Sequence, residues 1–133
     1  MKLWKRLLMS KEGQALAEMA LVLPILLMLL FGTIEFGRIF GAYMVISNLS
    51  REGARYGVVG HDDVQIQNLI LSHRAWLDES KFSIILSPSY AERDKGDSLG
   101  ITINYPVDLL IPIIAEIVPN PVNLSAQCLM RVE

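Results

Sequence analysis

The chain has 133 residues, room for one small domain once a long apolar segment is set aside. Apolar residues make up 52% and charged residues 20%, and no basic stripe with interleaved aromatics appears, which argues against nucleic-acid binding. The net charge of −2 conceals an asymmetry: residues 1–13 carry Lys2, Lys5, Arg6 and Lys11 against Glu12, net +3, and the rest of the chain is net −5.

After the basic leader, Met19 to Ile34 is a run of sixteen residues without a charge, MALVLPILLMLLFGTI. Apolar character resumes beyond Glu35 with Ile39, Phe40, Ala42, Tyr43, Met44, Val45 and Ile46. Four readings compete for this segment. A cleaved secretory signal is shorter and ends in a small-x-small site, and Ile34-Glu35-Phe36-Gly37-Arg38 offers none. A core helix apolar all round needs a larger domain to bury it. A plain transmembrane anchor fits, since about 20 apolar residues span the hydrocarbon. The fourth is a prepilin-type signal, in which the leader is removed and the apolar run stays in the product. In the last two readings the basic leader remains in the cytoplasm and the acidic remainder lies outside, because Lys and Arg resist translocation.

The fourth reading rests on Gly13-Gln14-Ala15-Leu16-Ala17-Glu18 at the border between leader and apolar run. A protease at the membrane face needs an extended backbone, which glycine supplies at low steric cost. Glu18 is costly: a carboxylate carried to mid-bilayer is disfavoured by roughly 2.5–3.5 kcal/mol and is normally paired or functional. Cleavage after Gly13 would create a positive amine on Gln14, a partner for Glu18 when neighbouring helices pack. The plainer alternative is an interfacial carboxylate, because Glu18 lies only about 7–8 Å along a helix from Gly13 and can snorkel.

The segment GQALAEMALVLPILLMLLFGTIEFGRIFGAYMVISNLSREGARYG, residues 13–57, resembles the N-terminal region of the TadE-like family. The resemblance is carried by the Gly-plus-Glu site, ALVLP before a Leu-rich run, Gly32 followed by IEFGR, and REGARY. Family members are similar to type IV prepilins, are cut by a dedicated prepilin peptidase and take part in assembling Flp-type (tight-adherence, Tad) pili. The resemblance implies that Gly13 precedes the scissile bond, Gln14 becomes the new N-terminus and Glu18 is the carboxylate five residues in. Met19 departs from the pattern, standing where several members carry Tyr.

The helix is expected to continue past the membrane edge. Glu35 and Arg38 are spaced to pair on one face, as are Glu52 and Arg55, and Gly57 and Gly60 read as stop signals. Pro24 is expected to free the carbonyl of Ala20, which membrane helices tolerate. Asp62 with Gln65 has the form of a capping box, opening a second helix with Ile66, Leu69, Ile70, His73 and Leu77 on one face. His73 reads as a surface or packed histidine. His61 beside Asp62 and Asp63 lacks the second His or Cys pair that a metal site requires.

Three strands follow from period-two alternation: Phe82, Ile84 and Leu86; Leu99, Ile101, Ile103 and Tyr105; and Val122, Leu124, Ala126, Cys128, Met130 and Val132. Cys128, the one cysteine, excludes an internal disulfide and falls on the apolar face as a core filler. Pro88 to Asp97 reads as a solvated hairpin loop. The apolar stretch from Val107 to Val118 reads as a short helix from Pro112 covering the sheet, with a sticky patch for another pilus component as the alternative.

The expected fold is α+β: a long N-terminal transmembrane helix continuing out of the membrane, a second amphipathic helix and a small three-stranded antiparallel sheet. Residues 1–13 form a cleaved cytoplasmic leader, 14–57 the long helix with its transmembrane part at about 15–34, and 58–133 a small extracytoplasmic domain. The expected function is structural: a minor pilin or pseudopilin, cut at Gly13-Gln14 by a prepilin peptidase and acting in assembly or initiation of a Tad pilus. Its expected place is the bacterial inner membrane as a single-pass protein, N-terminus cytoplasmic and C-terminal domain periplasmic, with entry into the surface pilus as a further option. Expected partners are membrane lipid, the peptidase, other pilins or pseudopilins and pilus assembly proteins, with no nucleic acid, small-molecule substrate, metal or cofactor. An uncleaved membrane-anchored adaptor or scaffold of a secretion or envelope complex is the runner-up. A tethered enzyme comes third, because the two histidines, one cysteine and loop carboxylates form no catalytic constellation.

Overall fold

The computed structural model describes residues 11–132, with side chains from Gly13 onward. Most of the 1–13 leader, and with it the expectation of a basic cytoplasmic end, lies outside the described residues. Helix α1 spans Lys11–Val58 and runs through Pro24 without interruption. The chain divides after Phe36 into two compact units, so the first part of α1 belongs to one and the second part to the other.

In the first unit, every residue from Gln14 to Ile34 is exposed apart from Gly32. The hydroxyl of Thr33 donates to the carbonyl of Leu29 at 2.8 Å, so the one hydroxyl in the uncharged run is satisfied by its own helix. Near the end of this unit Glu35 is only 2% exposed.

In the second unit, α1 has a sidedness that its first part lacks. Ala42, Ile46, Leu49, Gly53 and Gly57 recur at three- and four-residue spacing and are buried, with Ala54 and Val58 beside them, while Arg51, Glu52 and Arg55 face solvent. Ser50 is buried among them and donates to the carbonyl of Ser47 at 2.9 Å. The helix ends at Val58, one residue past Gly57, which also has a packing role. A Cβ on Gly57 would come within 2.8 Å of Ile66 Cδ1 and closer still to Leu99, so the glycine sets how near the second helix and the sheet can approach. The chain turns at Gly60, whose φ of +99° is open to glycine at no steric cost.

Helix α2, Asp63–Ser72, begins with both bonds of the capping box: Gln65 N donates to Asp62 Oδ1 at 2.8 Å, and Asp62 N to Gln65 Oε1 at 3.2 Å. It buries Ile66 and Ile70. It ends earlier than the spacing suggests, so Leu77 reaches the core from the connection beyond it. A 3-10 turn, Glu79–Lys81, capped by the Asp78 carboxylate on Ser80 N, leads into the sheet.

Strands β1 (Ser83–Ser87), β2 (Ser98–Val107) and β3 (Val122–Arg131) form an antiparallel meander in the order β1-β2-β3. The register pairs Leu86 with Ile101 and Ile84 with Ile103 on one side of β2, and Ile101 with Cys128 and Ile103 with Ala126 on the other. Leu99, Ile101, Ile103, Tyr105 and Val107 of the central strand supply the sheet's share of the core, and Cys128 packs half-buried against it. This α+β arrangement is the one the sequence pattern implies. Helix α3, Pro112–Ala115, forms where Pro112 suggests, but none of its residues is buried, so it does not cover the sheet.

Candidate functional site

The segment that carries the processing pattern is helical already. α1 includes Gly13 and Gln14, so the peptide bond between them is held in helical geometry rather than extended. One turn later the helix brings two of the three candidate residues together: Gln14 Nε2 donates to Glu18 Oε1 at 3.1 Å on the exposed surface. A carboxylate has acceptor capacity for several donors, so this bond leaves Glu18 able to take a further cation. Beyond it, α1 offers an apolar helix of which the most apolar eighteen-residue window is 0% buried. At 1.5 Å per residue the span of 15–34 measures about 30 Å, the thickness of a hydrocarbon core. The helix fits a single-pass membrane anchor.

In the second unit the polar side chains that drew attention in the sequence have structural partners. His61 stacks on Tyr56 with ring centroids 3.5 Å apart, and its Nδ1 lies 2.9 Å from the Tyr56 carbonyl. His73 pairs with Glu52 at 3.0 Å, taking the partner that helical spacing assigned to Arg55. Among the described residues, no group of three His, Cys, Asp or Glu side chains could hold a metal ion.

Two features escape sequence reasoning. Arg93, in the loop read as solvated, is buried with its side chain 3% exposed. It pairs with Asp63 at 2.6 Å and donates to the carbonyls of His61 and Pro88, while Tyr90 N donates to the other Asp63 oxygen. The loop is thus clamped to the start of α2. The second feature is a pocket lined by Arg38, Trp76, Lys81, Tyr105, Asp108 and Leu110. Arg38 reaches the Asp108 carbonyl with both terminal nitrogens at 3.5 Å, and Lys81 forms an ion pair with the Asp108 carboxylate. That hydrogen bond to Asp108 raises the Lys81 pKa above its usual value. No sequence periodicity joins positions 38, 76, 81 and 108; only the loop composition after Pro106 hints at an exposed apolar face.

Residues 13–55 match the family model described as TadE-like protein, which bears out the resemblance over that segment. Searches of the curated proteins and of the solved structures return no match to the chain. The matched segment takes in Gly13, Gln14, Glu18, the whole apolar run and the start of the helical face that builds the second unit's core. TadE-like proteins are a structural, pilus-associated family, and the likeness extends over residues 13–55, the N-terminal part of the chain.

Proposed function

We propose that this TadE-like chain is a minor pilin or pseudopilin of a Tad pilus, cut between Gly13 and Gln14 by a prepilin peptidase and held in the inner membrane until assembly. The observation that carries the reading is an overlap. The TadE-like match over residues 13–55 takes in the apolar run of α1, whose most apolar eighteen-residue window is 0% buried. A helix apolar all round has no stable home in water, and lipid supplies one. The small second unit, with its own core, is then the part presented in the periplasm.

Glu18 has a defined role in this reading. Removal of residues 1–13 converts the Gln14 backbone nitrogen into an ammonium group. Packed against a neighbour's helix in low dielectric, that charge needs a carboxylate, and Glu18 is held near the same end of the helix. Losing one partner of such a pair costs on the order of 3–5 kcal/mol when the survivor stays buried. Glu18→Ala and Glu18→Gln are therefore expected to insert and be cut normally but to lower pilus yield per cleaved molecule.

The deciding experiment is the intact mass of the protein taken from membranes that contain the cognate peptidase. Loss of residues 1–13, abolished by Gly13→Leu, is the expected result. A native product beginning at Met1 would remove the processing reading and leave the uncleaved membrane-anchored adaptor. That second reading has one observation in its favour, the helical backbone at the scissile bond, which a protease must first unwind.

A further inference from the structure

The two edges of the sheet are finished differently. β1 has five residues, entered from the 3-10 turn and followed at once by Pro88, a short edge of the kind that resists pairing. β3 has ten, and its register with β2 runs without a bulge from Val122 to Arg131. It contains no proline, glycine or lysine, and its single charge, Arg131, stands at its end. Among the described residues no strand lies on its far side.

The hydrogen bonds at the end of β3 fix which backbone groups that edge presents. Just past the strand, Val132 N donates to the Asp97 carbonyl at 2.8 Å, and the Val132 carbonyl accepts from Gly96 N at 3.0 Å. Both groups of Val132 therefore point toward the β2 side. Direction alternates along an antiparallel strand, so Asn123, Ser125, Gln127, Leu129 and Arg131 turn their N–H and C=O groups away from β2. Pro106 agrees with this parity: it lies opposite Asn123, where the ladder asks for no N–H. The side chains add a second sign of an open edge. Leu124, Cys128 and Met130 pack against the core only partly buried, whereas Leu99, Ile101 and Ile103 of β2 are fully buried. The apolar layer stops unfinished along the same line as the outward backbone.

We propose that the β3 edge takes up an extended segment of a different protein chain, which adds antiparallel to β3 as a fourth strand. The edge dictates the chemistry of its occupant. Alternate side chains are apolar and lie beside Leu124, Cys128 and Met130, completing the layer; those between them face solvent and are polar. Two positions on the solvent side are set more narrowly. Leu129 is 63% exposed and calls for an apolar residue opposite it, and Arg131 calls for a carboxylate. A second copy of this chain is the poorer fit. Two-fold pairing centred on Gln127 is the register that uses all the outward residues, and it sets Leu129 against Ser125 and Arg131 against Asn123.

The test uses the full chain in detergent micelles, with a synthetic ten-residue strand, matched in length to β3, as the probe. The probe alternates valine and threonine, with glutamate at the N-terminal position opposite Arg131 and valine opposite Leu129. It is N-methylated along one edge, so that it can add to a sheet but not stack. Saturable binding is expected, with amide exchange at Ser125, Gln127 and Leu129 slowed by about tenfold or more. Ser125→Pro removes an outward donor and leaves the ladder to β2 intact. It should weaken binding about tenfold while the unfolding midpoint holds. A probe N-methylated along both edges should not bind, and this comparison needs no substitution in the protein. If it binds as well as the first, the contact is apolar adhesion and the strand pairing is wrong. No binding of the first probe, or protection that falls on β1 amides instead, would also overturn the proposal. Unchanged binding to a folded Ser125→Pro would do the same. If the β3 amides are protected without any probe, and more so as protein concentration rises, a second copy holds the edge and the assignment to a different chain is wrong.

Discussion

The two parts of α1 make an instructive pair. From Gln14 to Ile34 and from Gly37 to Val58 the same helix is rich in apolar residues, yet the first stretch is exposed and the second builds a core. Apolar content does not separate them; its distribution around the axis does. The first stretch carries Leu, Ile, Met, Val and Phe on every side, which suits a solvent that is itself apolar. The second gathers Ala42, Ile46, Leu49, Gly53, Ala54 and Gly57 along one face and places Arg51, Glu52 and Arg55 on the other. It also uses small residues where the first uses large ones, because a sheet and a second helix must come close. A Cβ at Gly53 would already stand 2.9 Å from Ile70 Cδ1.

The comparison can be broken most severely at Ile46, which is fully buried in the second part. Ile46→Asp puts an unpaired carboxylate in the core and is expected to cost about 4 kcal/mol or more. Thermal unfolding of the full chain in detergent, followed by near-ultraviolet circular dichroism, should lose its cooperative transition. The mirror experiment is Leu26→Asp in the first part. It is expected to leave that transition unchanged while disfavouring insertion by roughly 2.5–3.5 kcal/mol, read as a smaller fraction resisting alkaline extraction from membranes. If Leu26→Asp lowers the unfolding temperature as much as Ile46→Asp, the division of α1 is wrong.

Within the second unit the effects are smaller and sharpen the picture of what holds it. Arg93→Met should cost about 2 kcal/mol, since it strips Asp63 and two carbonyls of their donor. Denaturant titration of the full chain in detergent measures it, and hydrogen exchange should rise in the 88–97 loop before it rises in β2. Asp62→Ala removes the α2 cap and is expected to cost about 1 kcal/mol, with fraying confined to the first turn of that helix.

Short-range pattern explains what could be read in advance. The capping box at Asp62 and Gln65, the alternation of β2 and the charge-free run are all decided by residues within a few positions of each other. The Arg93 clamp was not visible, because its partner Asp63 lies thirty residues away and Glu92-Arg93-Asp94-Lys95 looks like any solvated loop. Gly57, one residue before the helix ends at Val58, hides a second use for the complementary reason. A glycine near a helix end has two uses, stopping the helix or admitting a neighbour, and the second turns on Leu99 and Ile66, which the local sequence does not bring to mind. The Gly13-to-Glu18 pattern stands in the sequence by itself, but the Gln14–Glu18 bond emerges only with the helix that carries both residues.

Because the second part of α1 supplies a face of the second unit's core, a cut within that part cannot release the unit intact. Cleavage after Leu49 would leave Ala42, Ile46 and Leu49 behind and open the core beneath Ile101 and Ile103. A soluble fragment that keeps its fold must therefore carry α1 from about the start of the second unit, at Gly37. A cut that frees a folded product must fall ahead of Gly37, before Ile39 and Ala42 join the core.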